Sequence, residues 1–397
     1  MTIAEQHPGL SGSPIYLDYN ATTPIDPRVV EAMQPFLTTE FGNPSSSHAY
    51  AEGPRAALAR ARRQVADLVG TTSDQIAFVG SGSEADALAI RGAVLAAIAG
   101  GSHRPHVVTQ LTEHPAVLAA CRELQDWHGV EVTYLPVDGN GLVDPDDVAA
   151  AITADTVLVS VMHANNETGT LQPLADIARL TRNRGVLLHS DAAQSVGKLP
   201  VDVDDLGVDL LTIVGHKMYA AKGIAALYIR AGVQVHALVG GGGQERGLRA
   251  GTENVALAVG LGVAADLAVQ SLTAGELERL TGLRDGLAAR LADRIPGRVH
   301  VHGHPIQRLP NTVNLRVDAV SALDLLAAMP GVAASAGSAC HAGRDDPSSV
   351  LTAMGLDAKE ALSAIRLSTG RWTRGEEIEL AVEHIAAAVS MLERVAM

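Results

Sequence analysis

Residues 210–217 read LLTIVGHK, and this stretch decides the fold. Residues 210–215 form an apolar run of strand length, and Gly215, His216 and Lys217 follow where the backbone must leave the sheet. An ammonium at the end of a buried strand loses hydration, so it must find an anion or shed its charge. A lysine amine without its charge can form an imine with an aldehyde. Lys198, Lys217, Lys222 and Lys359 are the only lysines in a chain whose Lys and Arg total 30. Lys198 and Lys222 read as turn residues beside Gly197 and Gly223, and Lys359 as part of a polar helical face beside Glu360. Lys217 is left as either a functional amine or a surface lysine.

Working outward, short apolar runs at 75–79, 106–109, 132–137, 156–162, 186–189 and 224–229 read as strands. They alternate with helical patterns at 83–99, 115–128, 144–152 and 174–184. This alternation predicts an α/β fold with a mostly parallel sheet covered on both faces, its ligand beyond the carboxyl ends of the strands. Helices at 27–37 and 54–69 come first, separated by the loop GNPSSSH at 42–48. A long helix at about 253–268 leads to a smaller α+β part with strands near 299–302, 312–315 and 333–335 and a last helix at 374–394. The expected division is a large domain, 15–262, and a small C-terminal domain, 263–397, joined by the N-terminal arm 1–14 and carrying the loop 335–347.

At 397 residues, with 47% hydrophobic and 19% charged residues, the chain is globular and too long for one ordinary core. A formal charge of −14 argues against nucleic acid as a partner. The uncharged run 255–265, VALAVGLGVAA, is too short to span a bilayer and reads as a buried helix. Two cysteines cannot build a disulfide framework, and MTIAEQHPGLSGSP has no secretory pattern, so a cytoplasmic protein without a membrane partner is expected. No metal centre is read from the sequence. Cys121 occupies an apolar position in the helical run AVLAACREL. Cys340 lies in the small-residue run SAGSACHAG, with His341 and Arg344 nearby to favour a thiolate, and is the candidate nucleophile.

Several motifs sit at the ends of the expected strands. Gly80–Glu84, GSGSE, joins a strand to a helix, so it either cradles an anion or simply caps the helix through Ser83. Asp191 closes VLLHSD and can hold a protonated ring nitrogen or cap a helix. His114 can stack on a flat ring or serve as an ordinary histidine near a helix start. Residues 163–169, HANNETG, gather amides and a carboxylate after another strand. Arg366, inside AIRLS, needs an anion, either a substrate carboxylate or a structural partner.

Together the segments YLDYNATTP (16–24), TEHPAVL (112–118), ANNETG (164–169), HSDAAQSVGKLPVDV (189–203), GHK (215–217), GGGQERGLRAGTEN (241–254), GSAC (337–340) and IRLSTGR (365–371) resemble those of cysteine desulfurases. These are pyridoxal 5′-phosphate enzymes of the class V aminotransferase fold, a fold type I PLP-dependent transferase. The resemblance runs from about Ile15 to the last helix. It implies Lys217 as the Schiff-base lysine, Asp191 on the pyridine nitrogen, Gln194 on the ring hydroxyl and His114 stacked on the ring and moving protons. It implies phosphate contacts from Gly82, Ser83 and His216, with Thr252 reaching across a homodimer interface. Asn165 and Arg366 match the positions that hold the substrate carboxylate, and Cys340 matches the cysteine that accepts sulfur. The implied reaction converts L-cysteine to L-alanine and leaves a persulfide on Cys340 for an acceptor protein, such as an iron–sulfur scaffold or a thiolation protein.

The pattern also departs from the family. Val214 stands where serine often contacts the phosphate, Ser83 where threonine is common, and Ala220 and Ala221 replace a usual Gly and Pro. Val214 and His341 resemble selenocysteine lyases, so L-selenocysteine is the alternative substrate. A conventional aminotransferase and a non-enzymatic scaffold are the remaining alternatives.

Overall fold

Every residue of Leu210–Val214 is buried, and alternate side chains enter different cores: Leu211 and Ile213 on one face of the sheet, Leu210 on the other. A strand buried on both faces has no polar side, which is why its sequence runs apolar without alternation. The computed structural model describes residues 6–12, 14–337 and 346–396. Its strands are β1 (Ile15–Tyr16), β2 (Ile76–Val79), β3 (His106–Gln110), β4 (Glu131–Leu135), β5 (Thr156–Ser160), β6 (Leu187–Asp191), β7 (Leu210–Val214), β8 (Ala225–Ile229), β9 (Val299–His302), β10 (Thr312–Val317), β11 (Val332–Ala333) and β12 (Ala364–Ser368).

The main sheet has seven strands in the order β2-β8-β7-β6-β5-β3-β4. Pairings from β7 through to β4 are parallel, and β8 alone runs against both of its neighbours. Because β8 is reversed, β2 points the same way as β7. The carboxyl ends of β2, β3, β5, β6 and β7 therefore share one edge, where an open α/β sheet binds its ligand.

The apolar run 255–265 lies within a 19-residue helix, Val255–Thr273, long and apolar enough by composition to cross a membrane. Here it packs against helices Pro27–Thr38 and Glu52–Leu68. The approach is close: a Cβ at Gly262 would lie 2.7 Å from the Ala61 Cα, so only glycine fits there. The expected boundary at 262/263 falls inside this helix.

A second core surrounds the antiparallel sheet β12-β10-β9, flanked by helices Glu276–Arg294 and Gly375–Ala396. Leu17 belongs to this core, and β1 pairs in parallel with β11. The strand expected at 333–335 is shifted: β11 ends at Ala333, and Ser335 forms an isolated bridge to Arg366.

Candidate active site

The shared strand edge opens into a cavity of about 410 Å³. Gly82, Ser83, His114, Asp191, Gln194, His216, Lys217 and Arg366 all line it. These residues come from five separate parts of the chain, brought together by the sheet order.

Lys217 ends the 3₁₀ turn Gly215–Lys217 that follows β7. Its Nζ donates to the Asn20 carbonyl at 2.6 Å and the Ala21 carbonyl at 2.8 Å. The turn has no room for a larger residue at Gly215, where a Cβ would meet the Ile224 carbonyl at 2.9 Å. His216 Nδ1 lies 3.1 Å from Thr22 Oγ1. Burial pushes His216 down to about 4, aided by the charges of Lys217, Lys222 and Lys198, so the ring is neutral near pH 7.

Asp191 is buried at the end of β6, and one carboxylate oxygen accepts the Ala193 N–H at 2.8 Å. Burial raises its pKa, opposed by His114, the Ala193 N–H and Lys217. His114 caps helix Pro115–His128, its Nδ1 accepting the Ala116 N–H at 3.2 Å. Burial lowers its pKa against the pull of Asp191, and a ring that accepts at Nδ1 carries its proton on Nε2 when neutral. His114 is thus a helix cap that also lines the cavity.

Helix Gly82–Ala99 begins at the cavity, but its cap is Ser81, whose Oγ accepts the Glu84 N–H at 3.1 Å. Ser83 is not the cap and lies in the first turn. A Cβ at Gly82 would come within 2.6 Å of Val214 Cγ2, so the glycine makes room for the valine that stands in place of a polar residue.

Arg366, 2% exposed on β12, pairs with Asp18 at 2.8 Å and donates to the Asn166 carbonyl at 3.0 Å. Two residues read from the sequence lie away from the cavity. Asn165 is occupied in its own loop, donating to the Thr112 carbonyl and accepting the Glu167 and Thr168 N–H groups, while Asn166 lines the cavity. Thr252 is exposed and lines a different cavity of about 240 Å³ with Arg249 and Glu253. Arg249 pairs with Glu84 at 2.9 Å, and buried Glu245 pairs with Arg62 at 2.5 Å, which ties this segment to β2 and its helix. Cys340 lies outside the described residues.

Sequence reading missed the amine of Lys198 and the carboxylate of Asp86. Asp86 Oδ1 has no hydrogen-bond partner among the described residues and lies 3.8 Å from His189 Nε2, and burial, with the charge of Asp191, holds its carboxyl well above the usual range. Atoms of Asp86, His114 and Asp191 all lie within 4.8 Å of one another. The apolar stretch around Asp86 gave no cue to the partner it would meet.

The model of the aminotransferase class-V family matches residues 15–380. The chain is 42% identical over 383 residues to "Cysteine desulfurase IscS" of Dictyoglomus turgidum, covering 96% of each, and 45% identical over 373 residues to "Cysteine desulfurase" of Mus musculus, covering 93% of this chain and 80% of the relative. Among solved structures, "NIFS-LIKE PROTEIN" superposes with a TM-score of 0.87 at 33% identity, covering 95% of this chain and all of that one. The structure titled "SspA in complex with cysteine" gives 0.79 at 35% identity over 90% of this chain and 99% of that one. These names weigh for the desulfurase reading over the selenocysteine lyase. The chain belongs to the class-V aminotransferase family and, within it, to the cysteine desulfurases.

Proposed function

We infer that the protein is a pyridoxal-phosphate-dependent cysteine desulfurase, which removes sulfur from L-cysteine, releases L-alanine and holds the sulfur on Cys340. The observation that carries this reading is the convergence of the Lys217 amine, the Asp191 carboxylate and the Arg366 guanidinium on one cavity of about 410 Å³.

The residues suit the cofactor. The start of helix Gly82–Ala99 offers backbone N–H groups to a phosphate, with the Ser83 hydroxyl and His216 beside them. Asp191, with one oxygen on the Ala193 N–H, would hold a protonated ring nitrogen through the other. Gln194, through the second N–H of Nε2, would donate to the ring hydroxyl, and His114 would cover the ring. Bound there, the cofactor supplies a carbonyl that condenses with amines and a ring that accepts the electron pair left at Cα.

Arg366 orients the substrate carboxylate, with Asn166 beside it at the cavity wall. Lys217, in its neutral form, takes the proton from Cα and returns a proton to the product. His114 handles the thiol proton through Nε2. The Cys340 thiolate attacks the substrate sulfur; the sulfur–Cβ bond breaks, its electron pair goes to carbon, and Cβ takes up a proton to become the alanine methyl. The persulfide then passes to an acceptor protein. Thr252, exposed and apart from its own chain's cavity, serves the site of a second copy in a homodimer.

Incubation with L-cysteine followed by mass spectrometry tests this. One added sulfur on the Cys340 peptide, with alanine formed in parallel, is expected. Cofactor-loaded protein that yields neither overturns the reading.

A further inference from the structure

Lys198 follows Gly197 and reads from sequence as a turn lysine, yet it is buried beside the cavity. Its Nζ donates to Gln194 Oε1 at 2.7 Å and to Asn20 Oδ1 at 3.2 Å. The turn that carries it is fixed: Lys198 N–H donates to the Ser195 carbonyl, and Gly197 has φ 79° and would place a Cβ 2.9 Å from the Met218 Cβ, next to Lys217 in sequence. No carboxylate is hydrogen-bonded to Lys198 among the described residues; both partners are neutral amide oxygens.

A primary amide has one accepting end and one donating end. Lys198 holds the Gln194 oxygen and shares the Asn20 oxygen with Asn311 Nδ2, which donates to it at 3.1 Å, so each amide turns its NH₂ group elsewhere. Gln194 Nε2 donates to the Asn20 carbonyl at 3.1 Å, the same oxygen that receives Lys217 Nζ. Asn20 Nδ2 donates to Thr312 Oγ1 at 2.8 Å and to the Asn166 carbonyl, which also receives Arg366. One buried amine thus sits behind both the Lys217 and the Arg366 ends of the cavity.

We propose that Lys198 is a positioning residue that fixes the Gln194 amide with its oxygen inward, so that Gln194 presents an N–H donor to the cofactor ring. This rests on the pyridoxal-phosphate reading. The role does not require a charge: burial, with the neighbouring charges of Lys217 and Arg366, lowers the Lys198 pKa, and a neutral amine still carries the two N–H bonds that these two contacts use.

The consequence is spectroscopic. A donor to the ring oxygen favours the anionic form of the bound cofactor, so its loss raises the pH at which the visible absorbance changes. One hydrogen bond of about 1 kcal/mol corresponds to a shift of up to about one pH unit. The test is an absorbance titration of the purified, cofactor-loaded protein as wild type, Lys198→Met, Gln194→Ala and the double variant. Both single variants are expected to raise the midpoint by a similar amount, and the double variant no further than Gln194→Ala alone. Should Lys198→Met fail to accumulate, Lys198→Gln, too short to reach both oxygens, carries the same prediction. An unchanged midpoint in the lysine variants, or shifts that add in the double variant, overturns the proposal while leaving the functional reading intact. Wild-type protein that shows no visible cofactor absorbance overturns both.

Discussion

Arg366 and Arg371 lie five residues apart, both buried and both carrying an Nε without a partner among the described residues. Their surroundings differ. Arg371 meets Asp26 at 2.7 Å, and its guanidinium lies 4.1 Å from the Tyr219 ring centroid and 5.8 Å from that of Trp372. Asp26 is itself enclosed: it caps helix Pro27–Thr38 and accepts a two-point contact from Arg28 at 2.9 and 2.7 Å. Arg366 has a carboxylate and a carbonyl on one side and open cavity on the other. Burial of a charge therefore does not mark a site. A charge with room beside it for one more anion does.

The sharpest way to break the comparison is to remove each guanidinium. Arg366→Ala is expected to lower kcat/KM for L-cysteine roughly 1,000-fold, about 4 kcal/mol, with the melting temperature close to wild type. Arg371→Met is expected to act the other way, lowering unfolding stability by about 3 kcal/mol in denaturant titrations while leaving kcat/KM of the folded enzyme unchanged. If both variants lose stability without a specific kinetic defect, the two arginines are alike.

Acid sharpens the Arg371 side. Burial raises the Asp26 carboxyl, but the Arg28 hydrogen bonds and the Arg371 charge outweigh it and hold the group at about 2, below its ordinary 3.8. A folded pKa below the unfolded one contributes stability that is complete above about 3.8 and lost as pH falls through about 2. The stability difference between wild type and Asp26→Asn is therefore expected to shrink by about 2 kcal/mol between pH 5 and pH 2. A difference constant over that range would show the pair to be unimportant.

The smallest effect belongs to the cavity wall. Val214→Ser adds a hydroxyl beside Gly82 and is expected to strengthen cofactor retention about fivefold, one ordinary hydrogen bond, measured as the rate of cofactor loss on dilution.

Much of this architecture was legible because burial on both faces writes itself as unbroken apolar strands, as in Leu210–Val214, and because strand ends collect the chemistry. Helix Glu276–Arg294 was not read, since its buried face of Leu280, Arg284, Leu287 and Leu291 includes a charge that breaks the apolar pattern. That arginine is accommodated by its neighbour Asp285 at 2.7 Å and by donating to the Leu309 carbonyl at 2.6 Å, the second a partner no local window contains. Asn165 and Asn166 could not be told apart, because an irregular loop has no period from which to infer direction. Lys198 lies in the turn the sequence suggested, but its burial was not legible: a lysine stem is apolar enough to lie in a core, and only the tertiary structure shows where its amine ends.

The reversed strand β8 has a consequence for how the protein is made. It is the neighbour that joins β2 to the rest of the sheet, and Ile76 pairs with Tyr228, about 150 residues later. During synthesis β2 and the helix start that follows it, with Gly82 and Ser83, emerge early but have no strand to settle against until β8 leaves the ribosome. Such a long-range closure is entropically slow, so the Gly82–Ser83 end of the cavity is expected among the last parts of the nascent sheet to form.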